Sequence, residues 1–290
     1  MSARTGALLA WLCAAPLAAQ QSSSLDISTE PATVVRGTLA CLIVRGVSPV
    51  TLLSGEAAGE PLHFAQTDAG PLVALVAAPF DDADSLRVML VRSDSAGPPD
   101  TILVALPVAR GAYRTEGLRV AQRFVEPDSG SAARIREEMA AARAVSRRAH
   151  DTPRHWTAPF RRPRRTRITS GYGTAREFNG VVQSRHLGTD FAGAVGAPVR
   201  AANAGLVALV ADFYLAGTVV YLDHGEGLVT GYFHLSRAEV TPGEIVRAGQ
   251  LIGRVGGSGR VTAPHLHWIA RYGAVTVDPM SLRTAYCSLP

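Results

Sequence analysis

The sequence predicts a mainly β protein built from two β-rich domains joined by a helix. Short strand-like runs broken by turn clusters recur from Ser24 to about Val120, apolar residues then recur at helical spacing from Ile135 to Val145, and strand-like runs with glycine-rich punctuation return from Ile168 to about Leu282. A chain of 290 residues that is 47% hydrophobic has material for about two cores of ordinary size.

Residues 1–19 read as an export signal. Arg4 gives a positive start, Gly6 to Leu17 is apolar but short for a membrane span, and Leu17-Ala18-Ala19 offers small residues for cleavage before Gln20 or Gln21. Trp11 and Leu12 stand before Cys13, which does not fit lipid attachment. No later apolar stretch is long enough for a transmembrane helix, so the expected location is outside the cytoplasm, in a periplasm or at the cell wall. Signal removal leaves Cys41 and Cys287, an even number where disulfides persist. A bridge would tie the tail to the first domain; because Cys41 lies in the apolar run Leu39 to Val44, a buried free thiol is the alternative.

The first domain, residues 24–120, carries strand-like runs at Thr38 to Val44, Leu72 to Ala77, Leu86 to Val91 and Ile102 to Leu106, with turns such as Arg45-Gly46 and Ser95-Ala96-Gly97-Pro98-Pro99. That spacing predicts a small antiparallel sandwich. It holds no charged or histidine cluster that would mark catalysis, and His63 beside Phe64 reads as a packed or surface histidine.

Residues 121–166 read as a helical linker with a basic stretch. Pro127-Asp128-Ser129-Gly130 breaks the chain and starts the helix, Ile135, Met139, Ala142 and Val145 form its core-facing stripe, and Arg134 and Glu138 can pair one turn apart. The run Arg161 to Arg167 is the one dense tract of charge in a chain of net charge +5 that contains no lysine. Pro163 interrupts it, no aromatic residues interleave and an exported protein meets no nucleic acid, so nucleic acid is not an expected partner. The run reads as solvated, with weak attraction to acidic wall polymers as its functional alternative. The missing lysine also excludes lipoyl or biotinyl carriage, despite the carrier-like turn Val246 to Gly253, and excludes Schiff-base chemistry.

Residues 167–285 form the second β-rich domain, with runs at Gly205 to Val210, Thr218 to Leu222, Leu228 to Phe233, Leu251 to Val255 and His265 to Ala270. On a strand, His265 and His267 point to one face with Leu266 buried behind them. Asp190 follows His186 by four residues, with Gly188 between to let the backbone turn, and His234 is a third element. Two histidines on a strand face are often only polar surface, and an aspartate near a histidine is often a turn residue. Together in one domain these five residues supply two imidazoles and a carboxylate that zinc accepts, an open fourth position for water, and two histidines for proton chemistry.

These residues carry a resemblance. Ser170-Gly171-Tyr172-Gly173, Asn179-Gly180, His186-x-x-x-Asp190, Pro198-Val199-Arg200-Ala201, Tyr221-Leu222-Asp223-His224-Gly225, Tyr232-x-His234-Leu235, Gly249-Gln250-x-Ile252-Gly253, Pro264-His265-Leu266-His267-Trp268 and Val277-Asp278-Pro279 resemble the lysostaphin/LytM-type zinc endopeptidases, which cut peptide cross-links in bacterial peptidoglycan. The resemblance implies a peptidase domain with an open groove, one zinc per chain held by His186, Asp190 and His267, and His234 and His265 acting on water and the scissile carbonyl. It implies stem peptides or cross-bridges of peptidoglycan as the partner. The first domain resembles the immunoglobulin-like sandwich that precedes some members. The chain lacks a His-Glu-x-x-His element, so imidazole is the available base. Tyr232, Trp268 and His224, the last in a glycine-rich turn, read as structural, and Gly256 to Gly259 as a groove border. Ala263 and Ile269 depart from the family pattern but remove no ligand. The alternative is a catalytically silent wall-binding or amidase-activating module of the same fold, which is expected to have lost a ligand.

Overall fold

The computed structural model describes residues 25–48, 51–68, 70–80, 84–93, 98–119, 121–178, 181–285 and 287. The expected export signal, Ser95-Ala96-Gly97 and Asn179-Gly180 lie outside the described residues.

Two facing sheets build the first part of the chain. Strands Asp26–Glu30, Leu39–Arg45, Leu72–Ala77 and Ala65–Gln66 bond in that order, and Val34–Val35, Asp100–Ala109, Ser85–Ser93, Leu52–Ala57 and Glu60–Pro61 form the other sheet. All pairs are antiparallel except Val34–Val35 with Asp100–Ala109. Strand alternation sends Leu42, Val44, Ala74 and Val76 into a core shared with Val88, Leu90 and Val108. The intervening Leu39, Cys41, Val73 and Leu75 are also buried, against Trp156, Phe160, Leu228 and Leu282. Leu72–Ala77 is therefore apolar throughout because both of its faces are covered. Cys41 lies on the second face and is bonded to Cys287, with Cα atoms 5.3 Å apart, so the bridge joins the first sheet to the end of the chain.

The helix spans Ser129–Arg148, and Asp128 caps it by accepting from the Ser131 amide at 2.8 Å. Arg134 and Glu138 pair at 2.6 Å. The expected apolar stripe is only half used. Ala142 and Val145 pack on Val219, Tyr221, Val229 and Phe233, but Met139 is 51% exposed. The first turns are held by polar contacts instead, Arg134 to the Asp212 carbonyl at 2.9 Å and Glu138 to the Tyr214 amide at 2.9 Å. Beyond the helix the chain is not a free linker, because Trp156 and Phe160 are each 3% exposed in the larger core.

The last part is built on one large sheet, with Ala175–Phe178 and Val181–Arg185 in a separate three-stranded sheet with Thr115–Leu118. Ile168–Ser170, Thr189–Ala192, His265–Tyr272, Leu228–Ala238, Gly217–Gly225, Gly205–Phe213 and Ile245–Val246 lie side by side in that order. Leu251–Val255 joins Pro198–Arg200 to Leu228–Ala238, and Val275–Val277 lies against His265–Tyr272. One expectation shifts: the strand Gly217–Gly225 runs through His224, so this histidine lies in a buried strand and not in a turn. It bonds the Ala204 carbonyl through Nδ1 at 2.6 Å and Thr230 Oγ1 through Nε2 at 2.8 Å, a structural role. Among the described residues, no helix is long and apolar enough to cross a membrane.

Candidate metal centre and groove

Sheet register brings the site together. Ser170 opposes Asp190, Asp190 opposes His267, and His267 opposes Phe233, so residues far apart in sequence form a row across four strands. His265, two residues before His267, stands on the same face, while Leu266 between them is fully buried. His186 precedes the strand Thr189–Ala192 and is 1% exposed.

Gly188 has a different reason from the sharp turn expected of it, since its backbone lies outside the left-handed region. A Cβ there would lie 2.5 Å from His267 Cε1 and 2.7 Å from the Trp268 carbonyl oxygen. Glycine is needed so that the His267 ring can press against the chain. His234 is placed by strain. Its φ is 59°, in the left-handed region, and it lies in a bulge where Phe233 and His234 together face Val219.

Three donor atoms converge. His186 Nε2 is 3.0 Å from Asp190 Oδ1, His267 Nδ1 is 2.7 Å from the same oxygen, and the two ring nitrogens are 2.9 Å apart. The other carboxylate oxygen, Oδ2, accepts from Arg176 Nη2 at 2.7 Å, which reserves Oδ1 for the nitrogens. His265 Nε2 stands 3.6 Å from Asp190 Oδ1, and the His234 ring centre is 5.0 Å from that of His265.

Backbone carbonyls fix the tautomers, because a carbonyl only accepts. The Nδ1–H groups of His186, His234 and His265 donate to the carbonyls of Gly171, Ser258 and Ala263, each at 2.8 Å. A neutral ring then carries its lone pair on Nε2, directed away from the carbonyl. Burial holds His234 well below the ordinary histidine range, helped by His267 and His265. Burial likewise pushes His267 down to about 4 against the pull of Asp190. Burial opposes ionisation of Asp190, but its bonded partners His267 and His186 outweigh it and keep the carboxyl well below the usual carboxylate range. A neutral His267 beside an ionised Asp190 is the pair of protonation states a divalent cation requires, and with His186 completing it the donor set fits zinc.

The adjoining groove is lined by Thr169, Ser170, Arg176, Asp190, Arg260 and His265, with Glu116 and Leu118 contributed from before the helix. Glu116 accepts from Ser170 Oγ at 2.8 Å, and its strand Thr115–Leu118 pairs in parallel with Ala175–Phe178. Sequence reasoning missed Glu116 and Arg176. Arg176 sits close to a quoted motif, but no local pattern ties Glu116 to a site some fifty residues on, at Ser170.

All five expected site residues lie within residues 184–279, which match the model of peptidase family M23. These residues form an M23 peptidase domain. The chain is 40% identical over 97 residues to peptidoglycan DD-endopeptidase ShyC of Vibrio cholerae serotype O1, covering 33% of this chain and 22% of that relative. It is 38% identical over 117 residues to DD-carboxypeptidase/endopeptidase Mpg of Neisseria meningitidis serogroup B, covering 40% of this chain and 27% of the relative. The chain thus matches about a quarter of the length of these relatives. A crystal structure of a peptidase M23 from Pseudomonas aeruginosa superposes with a TM-score of 0.63 over 87% of this chain and 96% of that one at 24% identity, which shows a shared fold.

Proposed function

We propose that the chain is a zinc-dependent endopeptidase of the cell envelope that hydrolyses peptide cross-links of peptidoglycan. The observation that carries this reading is the convergence of His186 Nε2, Asp190 Oδ1 and His267 Nδ1 beside His265, which lines an open groove, and the His234 ring behind it. The name of the similar Vibrio protein, a peptidoglycan DD-endopeptidase, points to the same substrate, and that of the Neisseria protein to endopeptidase activity. His186, Asp190 and His267 hold one zinc per chain. When bound, zinc supplies a Lewis acid that polarises a carbonyl and lowers the pKa of water.

The protein's own groups do the rest. His234 and His265, with Nδ1–H tied to backbone carbonyls, keep Nε2 free for proton chemistry, and His265 lines the groove itself. One ring accepts the proton of the attacking water at Nε2, and the other steadies the tetrahedral oxyanion in its protonated form, which carries an Nε2–H besides the bonded Nδ1–H. Arg176 holds the Asp190 carboxylate in place through Oδ2. Burial of His234 keeps it neutral and able to accept a proton. The first domain, residues 24–120, acts as an immunoglobulin-like partner fixed against the peptidase domain, residues 167–285.

A digest of defined cross-linked muropeptides tests the reading. The wild-type chain should convert dimers to monomers with glycan strands intact, and His186→Ala should not. Cut sugars, or dimers left whole by the wild type, would refute it.

A further inference from the structure

The basic run after the helix is not used by the metal centre. Arg161, Arg162, Arg164 and Arg165 line an open depression with Arg200 and Arg283, and none of the residues lining it is acidic. Among the described residues, no ion pair neutralises any of the six. Their backbone is fixed: the Arg161 amide bonds the Ala202 carbonyl at 2.9 Å, the Arg200 amide bonds the Pro163 carbonyl at 3.2 Å, and Pro163 is buried. Two guanidinium groups are also tethered, Arg164 Nη1 to the Pro198 carbonyl and Arg200 Nη1 to the Gly249 carbonyl. The Arg164 Nε is buried with no hydrogen-bond partner among the described residues. Like charges held together on a rigid backbone repel one another unless an anion joins them.

One stretch of chain links the depression to the groove, Arg165 and Thr166 lining the first and Thr169 and Ser170 the second. The basic run leads into Ile168–Ser170, whose Ser170 lies opposite Asp190, and Thr166 Oγ1 bonds the Ala192 carbonyl at 2.8 Å. Five residues of extended chain from Arg165 to Ser170 cover about 16 Å. Guanidinium forks match carboxylates in bidentate geometry, and an array of weak contacts sums when its ligands are linked in one polymer. Peptidoglycan fits this description, because stem peptides that are not being cut carry free carboxylates along the same strand.

We propose that this arginine depression docks the carboxylate-bearing stem peptides of peptidoglycan, holding the polymer while a neighbouring cross-link occupies the groove. The inference rests on the functional reading above. It is tested with the full chain and a triple variant, Arg161→Ser with Arg162→Ser and Arg165→Ser, three exposed side chains for which no hydrogen bond to the described protein is seen. Co-sedimentation with insoluble peptidoglycan should weaken about tenfold in the variant, roughly twofold per arginine, and should weaken further as salt rises. Amidating the carboxylates of the polymer should weaken wild-type binding equally, while hydrolysis of a small soluble muropeptide dimer stays unchanged in the variant. Equal sedimentation of variant and wild type, or binding indifferent to amidation, overturns the proposal, as does displacement by inorganic polyphosphate without any effect of amidation. If the wild type cleaves no dimer, the functional reading fails, and sedimentation still decides the docking surface.

Discussion

Replacing His224 by glutamine should remove a specific part of the protein's pH dependence. The ring is fully buried, and burial pushes its pKa from 6.5 down to about 4, while its two nitrogens are bonded to the Ala204 carbonyl and Thr230 Oγ1. The unfolded chain binds a proton at this residue below about pH 6.5, whereas the folded chain does not until about pH 4. Between those values the unfolded state holds more protons, so stability falls as pH falls, by about 3 kcal/mol across the window, and the loss levels off below it. His224→Gln keeps a neutral donor and acceptor and should cost about 1–2 kcal/mol at neutral pH through poorer hydrogen bonds. Urea unfolding followed by tryptophan fluorescence, stepped from above pH 7 to pH 4, should show the variant less stable at neutral pH and equal to or more stable than the wild type near pH 4. A wild-type to variant gap that stays constant across the window would refute the reasoning.

Gly188→Ala should disturb the metal centre, because its Cβ overlaps the His267 ring and the Trp268 carbonyl; zinc affinity by competitive titration should fall at least tenfold and stability by about 1–3 kcal/mol. Replacing Cys41 and Cys287 together by alanine releases a loop closed over a sequence separation of 246 residues, and the urea midpoint should drop by the equivalent of about 2–5 kcal/mol; an unchanged midpoint contradicts the structural role given to the bridge. His265→Ala should leave bound zinc unchanged while dimer hydrolysis falls about a hundredfold or more, the signature of a proton carrier as opposed to a ligand.

The strands of the last sheet were legible because glycine turns separate them, and the parity of His265 and His267 follows from strand alternation alone. The Leu72–Ala77 run was legible as a strand of a sandwich, but no local pattern reveals that its second face meets Trp156 and Phe160. Met139 was misread because helical spacing marks an apolar stripe without saying how far along the helix the neighbouring sheet extends. Gly188 was singled out correctly and explained wrongly, since the demand for a missing side chain came from a ring 79 positions later in the chain, at His267. Glu116 and Arg176 escaped notice because their roles arise from a parallel strand pair and a single carboxylate oxygen, neither of which leaves a periodic trace.

Metal analysis after equilibrium dialysis against zinc tests the central claim most directly, comparing the wild type with Asp190→Ala and His267→Ala. The convergent donor set predicts one zinc per chain in the wild type and near-complete loss in both variants. Tight binding that survives Asp190→Ala, or a folded wild type that takes up no zinc, would contradict it.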